Sequence, residues 1–124
     1  MITLNIYQIF SLKCIFTNYV DVHIINHLGP NSPPLKLQCK SKNDDLGIHM
    51  LSTEQEYSWR FCDNFFPTTL FFCHLWWQSK HKGFVAFEEN IIEAKRNHRY
   101  WLAMPDGIYF SHGNSRFVKK FDWE

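Results

Sequence analysis

The sequence lacks a long apolar run. No stretch reaches the roughly 18 consecutive apolar residues that a membrane-spanning helix needs, so no membrane insertion is expected. It also lacks a charge of one sign. Thirteen Lys and Arg stand against twelve Asp and Glu, a formal net charge of +1. No broad basic field follows from that balance, and nucleic acid is not implied as a partner. The four cysteines contain no Cys-x-x-Cys pair, so a zinc site of that kind is not indicated. The Asn43, Asp44, Asp45 cluster lacks the spaced carboxylates and closing Glu of a calcium-binding loop, and its plain reading is a solvated turn.

A catalytic constellation is missing too. Cys73-His74 is the nearest thing to a nucleophile and base. Neighbours on one strand point to opposite faces, so the two cannot form a dyad in regular β structure. Ser58, Thr68 and Thr69 have no base at motif spacing. The residues call for no enzyme activity, no cofactor and no metal.

What the chain has is alternation. Val20, Val22 and Ile24 alternate with Asp21 and His23; Leu35, Leu37 and Cys39 with Lys36, Gln38 and Lys40; Tyr57, Trp59 and Phe61 with Ser58, Arg60 and Cys62. A period of two marks strands with one apolar face and one wet face. Thr69 to Trp77 is apolar on both faces except at His74. Such a strand is either central and covered from both sides, or part of a surface that meets something else. SKNDDLG at 41–47 reads as a tight loop, and 78–82 as a polar turn. Phe84 and Ala86 alternate with Val85 and Phe87. Pro105-Asp106-Gly107 turns a hairpin between Tyr100–Met104 and Ile108–Ser111. Arg116–Phe121 closes the chain as a strand. Glu89–Arg99 reads as a short helix or a charged loop. With 124 residues, twelve Phe and five Trp, the chain predicts one all-β domain. The expected form is a small β-sandwich of about seven or eight mostly antiparallel strands.

Residues 1–19 are apolar but interrupted by Asn5, Gln8 and Lys13, with no early basic residue and no Ala-x-Ala. They read as a signal peptide or degraded leader, or else as an extra edge strand. The domain proper is then 20–124.

Four segments carry a resemblance. Cys39, Ser41, Asp44, Asp45, Leu46, Gly47 and His49 form a Cys-x-Ser-x-(acidic)-Leu-Gly-x-His pattern. Tyr57, Trp59 and Phe61, then Thr69, Leu70, Phe71, Phe72 and Cys73, follow in order. Trp101, Asp106, Gly107, Ile108 and Tyr109 give a Trp-x(4)-Asp-Gly-(apolar)-Tyr pattern. Together these resemble the plant self-incompatibility protein family, the S-protein homologues. The resemblance implies a β-sandwich that is secreted, is not an enzyme, and acts as an extracellular signalling ligand. Its partner would be a plasma-membrane receptor. The family typically has four cysteines. Two match Cys39 and Cys73, whereas KRNHRYW before Trp101 holds neither of the other two.

Cys14 and Cys62 are this chain's own. If Cys14 leaves with a leader, three thiols remain and one is odd. Cys39 shares a face with Leu35 and Leu37, while Cys62 lies opposite Tyr57, Trp59 and Phe61. Parity thus favours Cys39–Cys73 over Cys39–Cys62, with unpaired thiols as the plain alternative.

Two surfaces are candidates for the partner. One is the loop of Ser41, Lys42, Asn43, Asp44 and Asp45, since loops on a rigid scaffold carry recognition. The other is an aromatic-basic patch of Trp77, Lys80 and Lys82, with Trp76 beside it. The plain reading of the tryptophan pair is that one packs inward and its neighbour covers the rim. Carbohydrate binding through Trp76 or Trp77, or a small hydrolytic effector using His74 or His49, are the alternative functions.

Overall fold

The alternating segments do become strands. The structure, a computed structural model, describes residue 14 and residues 19–62, 69–88, 97–113 and 115–124. Among the described residues nine strands are found, against the seven or eight expected: β1 Tyr19–Asn26, β2 Leu35–Lys40, β3 Asp45–Leu51, β4 Glu56–Cys62, β5 Leu70–Trp77, β6 Lys80–Glu88, β7 Asn97–Met104, β8 Gly107–His112 and β9 Val118–Phe121. They form two sheets of order β4-β1-β7-β8-β9 and β3-β2-β5-β6. Every pairing is antiparallel except that of β1 with β7. The result is the expected β-sandwich.

Parity decides what lies between the sheets. Val20, Val22 and Ile24 point inward from β1 and meet Leu35, Leu37 and Cys39 of β2 and Phe71, Cys73 and Leu75 of β5 in one core. Each fully buried aliphatic side chain contributes about 1.5–3 kcal/mol. Trp101 joins the two layers: it stands on β7, yet its indole Nε1 donates to the carbonyl of Ala86 on β6 at 3.0 Å. Asn26, fully buried at the end of β1, is satisfied on both sides. Its Nδ2 donates to Leu51 O and its Oδ1 accepts from Leu28 N, each at 2.9 Å. A buried amide left unpaired would cost about 1–3 kcal/mol. Here it ties β1 to the end of β3.

Several segments differ from the sequence reading. β5 is central in its sheet, but only its inner face is covered; Leu70 and Phe72 on the outer face are exposed. The expected turn at 78–82 shrinks to Gln78 and Ser79, because β6 already begins at Lys80. The loop at 41–47 likewise ends at Asp44, and Asp45 opens β3. Of the expected helix, residues 97–99 belong to β7 and the rest lies outside the described residues. So does the 1–19 leader, apart from Cys14 and Tyr19. The hairpin at 105–107 forms as expected. Gly107 is required there: its φ is +154°, and a Cβ would lie 2.4 Å from the carbonyl oxygen of Phe121 on β9.

All four cysteines are bonded. Cys39 and Cys73 stand directly opposite each other on β2 and β5, with Cα atoms 4.0 Å apart. Cys14 is bonded to Cys62 at the end of β4. With Cys14 present Cys62 has a partner; an odd thiol arises only in a chain that has lost Cys14. A bond closing a separation of 34 residues stabilises by about 4 kcal/mol in the chain-entropy description. The double substitution Cys39→Ala/Cys73→Ala is expected to lower the unfolding free energy by about that much. Guanidinium denaturation without reductant measures it, and an unchanged midpoint would mean the bond constrains nothing.

Candidate functional site

The Cys39–Cys73 bond anchors the end of β2, and the first candidate loop begins two residues later. It closes on itself. Ser41 N donates to Asp44 O at 2.7 Å, and Asp44 N donates to Ser41 Oγ at 3.2 Å. Lys42, Asn43 and Asp44 project into solvent. The Asp45 carboxylate accepts from Gly47 N at 2.9 Å and from Gln38 Nε2 at 3.2 and 3.1 Å. The Gly47 amide first, then Gln38, hold this carboxyl below its ordinary value of 3.8. Gly47, with φ +87°, permits the backbone bend that brings its amide there.

The second candidate region lies at the opposite end of the same sheet. Lys40 pairs with Phe72, near the loop, whereas Lys36 pairs with Trp76 at the far end of β2. Trp77 points inward and is half-buried. Its Nε1 donates to Ser32 Oγ at 2.9 Å, and its ring packs 5.7 Å from that of Trp123. Lys80 Nζ lies 5.4 Å over the Trp77 ring. Lys82 is bonded to Glu124 at 2.6 Å and sits over Phe121. These three residues line the rim where the two sheets close on each other. The fold does not bring them together with residues 41–45.

Between the two regions runs the outer face of β3-β2-β5-β6, laid out in rows by strand register. Met50, Lys36, Trp76 and His81 share one row; Ile48, Gln38, His74 and Gly83 the next; Asp45, Lys40, Phe72 and Val85 the third. Trp76, not Trp77, is the tryptophan on this face. Its ring stacks on His74 at 4.3 Å and carries Lys36 Nζ at 4.9 Å. His74 Nε2 and His81 Nδ1 share a hydrogen bond of 3.0 Å. Gly83 makes room for this cluster, since a Cβ there would lie 2.9 Å from Phe72 Cζ and 3.1 Å from His74 Nδ1. Burial first, then the charge of His81, lowers the His74 pKa from 6.5.

The outer face of the other sheet is built differently. Arg60 makes a forked pair with Asp21 at 2.8 and 3.2 Å, and His98 approaches Asp21 at 3.6 Å. His23 bonds to Glu56 and to His98, the latter at 3.1 Å, and stacks on Tyr100. The sequence marks Asp21 and His23 only as the wet side of β1. Their partners come from β4 and β7, and nothing local announces that pairing. His23 and His27, the one His-x-x-x-His spacing in the chain, sit on a strand and its exit, and hold Glu56 and Glu54 separately. His49 donates to Leu46 O at 2.8 Å and stacks on Tyr57. Among the described residues no three His, Cys, Asp or Glu are placed to hold a metal ion. Nor is any helix there long and apolar enough to cross a membrane.

Comparison with known proteins gives a consistent picture. A family model described as plant self-incompatibility protein S1 matches residues 21–123. S-protein homolog 5 of Arabidopsis thaliana is 41% identical over 86 residues, covering 69% of this chain and 66% of its own length. S-protein homolog 21 of the same plant is 38% identical over 107 residues, covering 82% of this chain and 80% of its own. Among solved structures, one of self-incompatibility protein homologues superposes with a TM-score of 0.73 at 18% identity. It covers 88% of this chain and 97% of that one, a likeness of fold. Its title describes small, highly stable, secreted proteins from plants.

The His74–His81 contact has a pH consequence. The folded state holds the His74 proton less tightly than an unfolded chain, so the unfolded state binds more protons below pH 6.5. Stability from this group is complete above 6.5 and falls as pH drops through the window between 6.5 and the lowered value. In an NMR titration His74 is expected to change charge below pH 6.5, and His81→Ala to move that midpoint upward. A midpoint that does not respond to His81→Ala would sink the coupling.

Proposed function

The chain belongs to the plant self-incompatibility protein S1 family, and on that premise we propose that it is a secreted, non-enzymatic signalling ligand. A cell-surface receptor recognises it through exposed loops. The observation that carries this reading is the loop from Ser41 to Asp45. It is exposed, closed by its own hydrogen bonds, and rooted beside the Cys39–Cys73 bond. A loop ordered before contact loses little conformational freedom on binding, which favours recognition. Trp77, Lys80 and Lys82 form a second contact region of the same ligand.

Two disulfides support an oxidising, extracellular setting, in line with the secreted plant proteins of the solved relative. A secretory leader within residues 1–19 is part of the proposal. A mature chain that keeps Cys14 holds both bonds, and one that begins after it leaves Cys62 without that partner. The chain's match spans 66% of the length of S-protein homolog 5, and the receptor role is carried over as a proposal for the matched region.

Two measurements test the reading. Protein recovered from the medium of plant cells should have lost a leader within residues 1–19 by intact mass, and Cys39 and Cys73 should take up no thiol label. Retention inside the cell with labelled thiols would overturn secretion. Replacing the loop by Lys42→Gly, Asn43→Ser and Asp44→Gly should weaken saturable binding to plant protoplasts at least tenfold with the melting temperature unchanged. Undiminished binding would remove the loop from the contact.

A further inference from the structure

The outer face of the four-stranded sheet is apolar where a water-facing sheet is ordinarily polar. Ile48 and Met50 on β3 are each 56% exposed, Phe72 on β5 45% and Val85 on β6 40%. They form two strips, β3 on one side and β5 with β6 on the other. Strands are about 4.8 Å apart, so the strips lie about 10 Å apart across β2. Along β2, between them, run Lys36 and Lys40. Exposed apolar side chains gathered on one face mark a contact surface.

The position of the lysines says what the contact must be. Covering both strips also covers the line between them. Ammonium groups taken out of water without partners are costly, and carboxylates facing them offset that cost. On this face Lys40 stands opposite one acid, Asp45, which also accepts from Gln38 and the Gly47 amide, and Lys36 lies over the Trp76 ring; a single carboxylate at the end of the face serves the line of lysines. We propose that this face docks an acidic protein segment. Its carboxylates lie along Lys36 and Lys40, and its apolar side chains fill the strips on either side. The inference rests on the reading of the chain as a receptor ligand, and names the chemistry of the receptor surface. Lys40 leads directly into the loop at 41–44, so face and loop present one continuous surface.

A second copy of the chain does not fit this face. A two-fold contact sets the same patch against itself, which would bring the lysine line onto another lysine line. A lipid surface fits poorly as well. Hydrocarbon takes up apolar side chains with cations at the rim, where they reach the headgroups; here the cations run down the middle.

The test is an NMR titration of the full isotope-labelled chain with two synthetic peptides. In one, Glu and Leu or Phe alternate; in the other, Lys replaces every Glu. The acidic peptide should shift the amides of β2, β3 and β5 saturably, and the Lys peptide should not. Lys36→Glu/Lys40→Glu should weaken the acidic peptide at least tenfold and gain affinity for the Lys peptide. Lys36→Gln/Lys40→Gln, which removes charge without reversing it, should show an intermediate loss. Acidic-peptide binding that is unchanged in both variants, or shifts confined to other strands, would overturn the proposal. So would phosphatidylserine vesicles that displace the peptide from this face at lower concentration. Protoplast binding separates the two levels of the argument. Saturable binding that Lys36→Glu/Lys40→Glu leaves intact overturns the docking face but not the ligand. No saturable binding by the unaltered chain removes the receptor reading, while the peptide titration still decides the face.

Discussion

The register of β2 against β5 governs the four-stranded sheet, and the Cys39–Cys73 bond locks it. Side chains alternate strictly along a strand, so a slip of one residue would exchange the two faces. Leu35 and Leu37 would turn to water, and Lys36 and Lys40 would turn into the core. With Cys39 held opposite Cys73, Lys36 meets Trp76 and Lys40 meets Phe72. The core, the outer rows and the root of the loop at 41–44 all follow from that one covalent alignment.

The two sheets then treat water in opposite ways. On the five-stranded sheet the outward side chains of β1, β4 and β7 join into a polar ladder through Arg60, Asp21, His98, His23 and Glu56. Its members are bonded to one another, which leaves the ladder little to offer a ligand. On the four-stranded sheet the outward positions hold Ile48, Met50, Phe72 and Val85 around a line of lysines. Among the described residues one outer surface is knitted by polar pairs, and the other carries exposed apolar side chains. That contrast, more than any single residue, locates the recognition surface proposed for this family member.

Much of the architecture was legible because local alternation is a direct record of which side of a strand is dry. Val20, Val22 and Ile24, then Leu35, Leu37 and Cys39, reach the core as their spacing implies. The Pro105–Gly107 turn was equally plain, since proline and glycine fix backbone geometry without help from neighbours. What stayed hidden depends on partners distant in sequence. Asp45 reads as loop by composition, yet it opens β3 because Lys40 pairs with it. Lys80 and Lys82 read as turn, yet they extend β6 opposite Trp77 and Leu75. The Cys14–Cys62 bond was missed because an apolar N-terminal stretch invites the reading of a discarded leader. The double-sided apolarity of Thr69–Trp77 left two explanations open. The fold selects the exposed one, because Leu70 and Phe72 stand on the outer face and are exposed.

The placement of β1 has a consequence for how the protein is made. This early strand occupies the interior of its sheet, between β4 and β7, and its pairing with β7 is parallel. Its second neighbour is therefore supplied by a segment from the far part of the chain. While the ribosome is still extending the polypeptide, β1 can find β4 but not β7, and the sheet remains open on that side. Loops that close over such separations lose entropy before their contacts repay it, and folds rich in them form in milliseconds to seconds rather than microseconds. β1 therefore gains its second neighbour, and the sheet closes around it, only once the segment that carries β7 has been made.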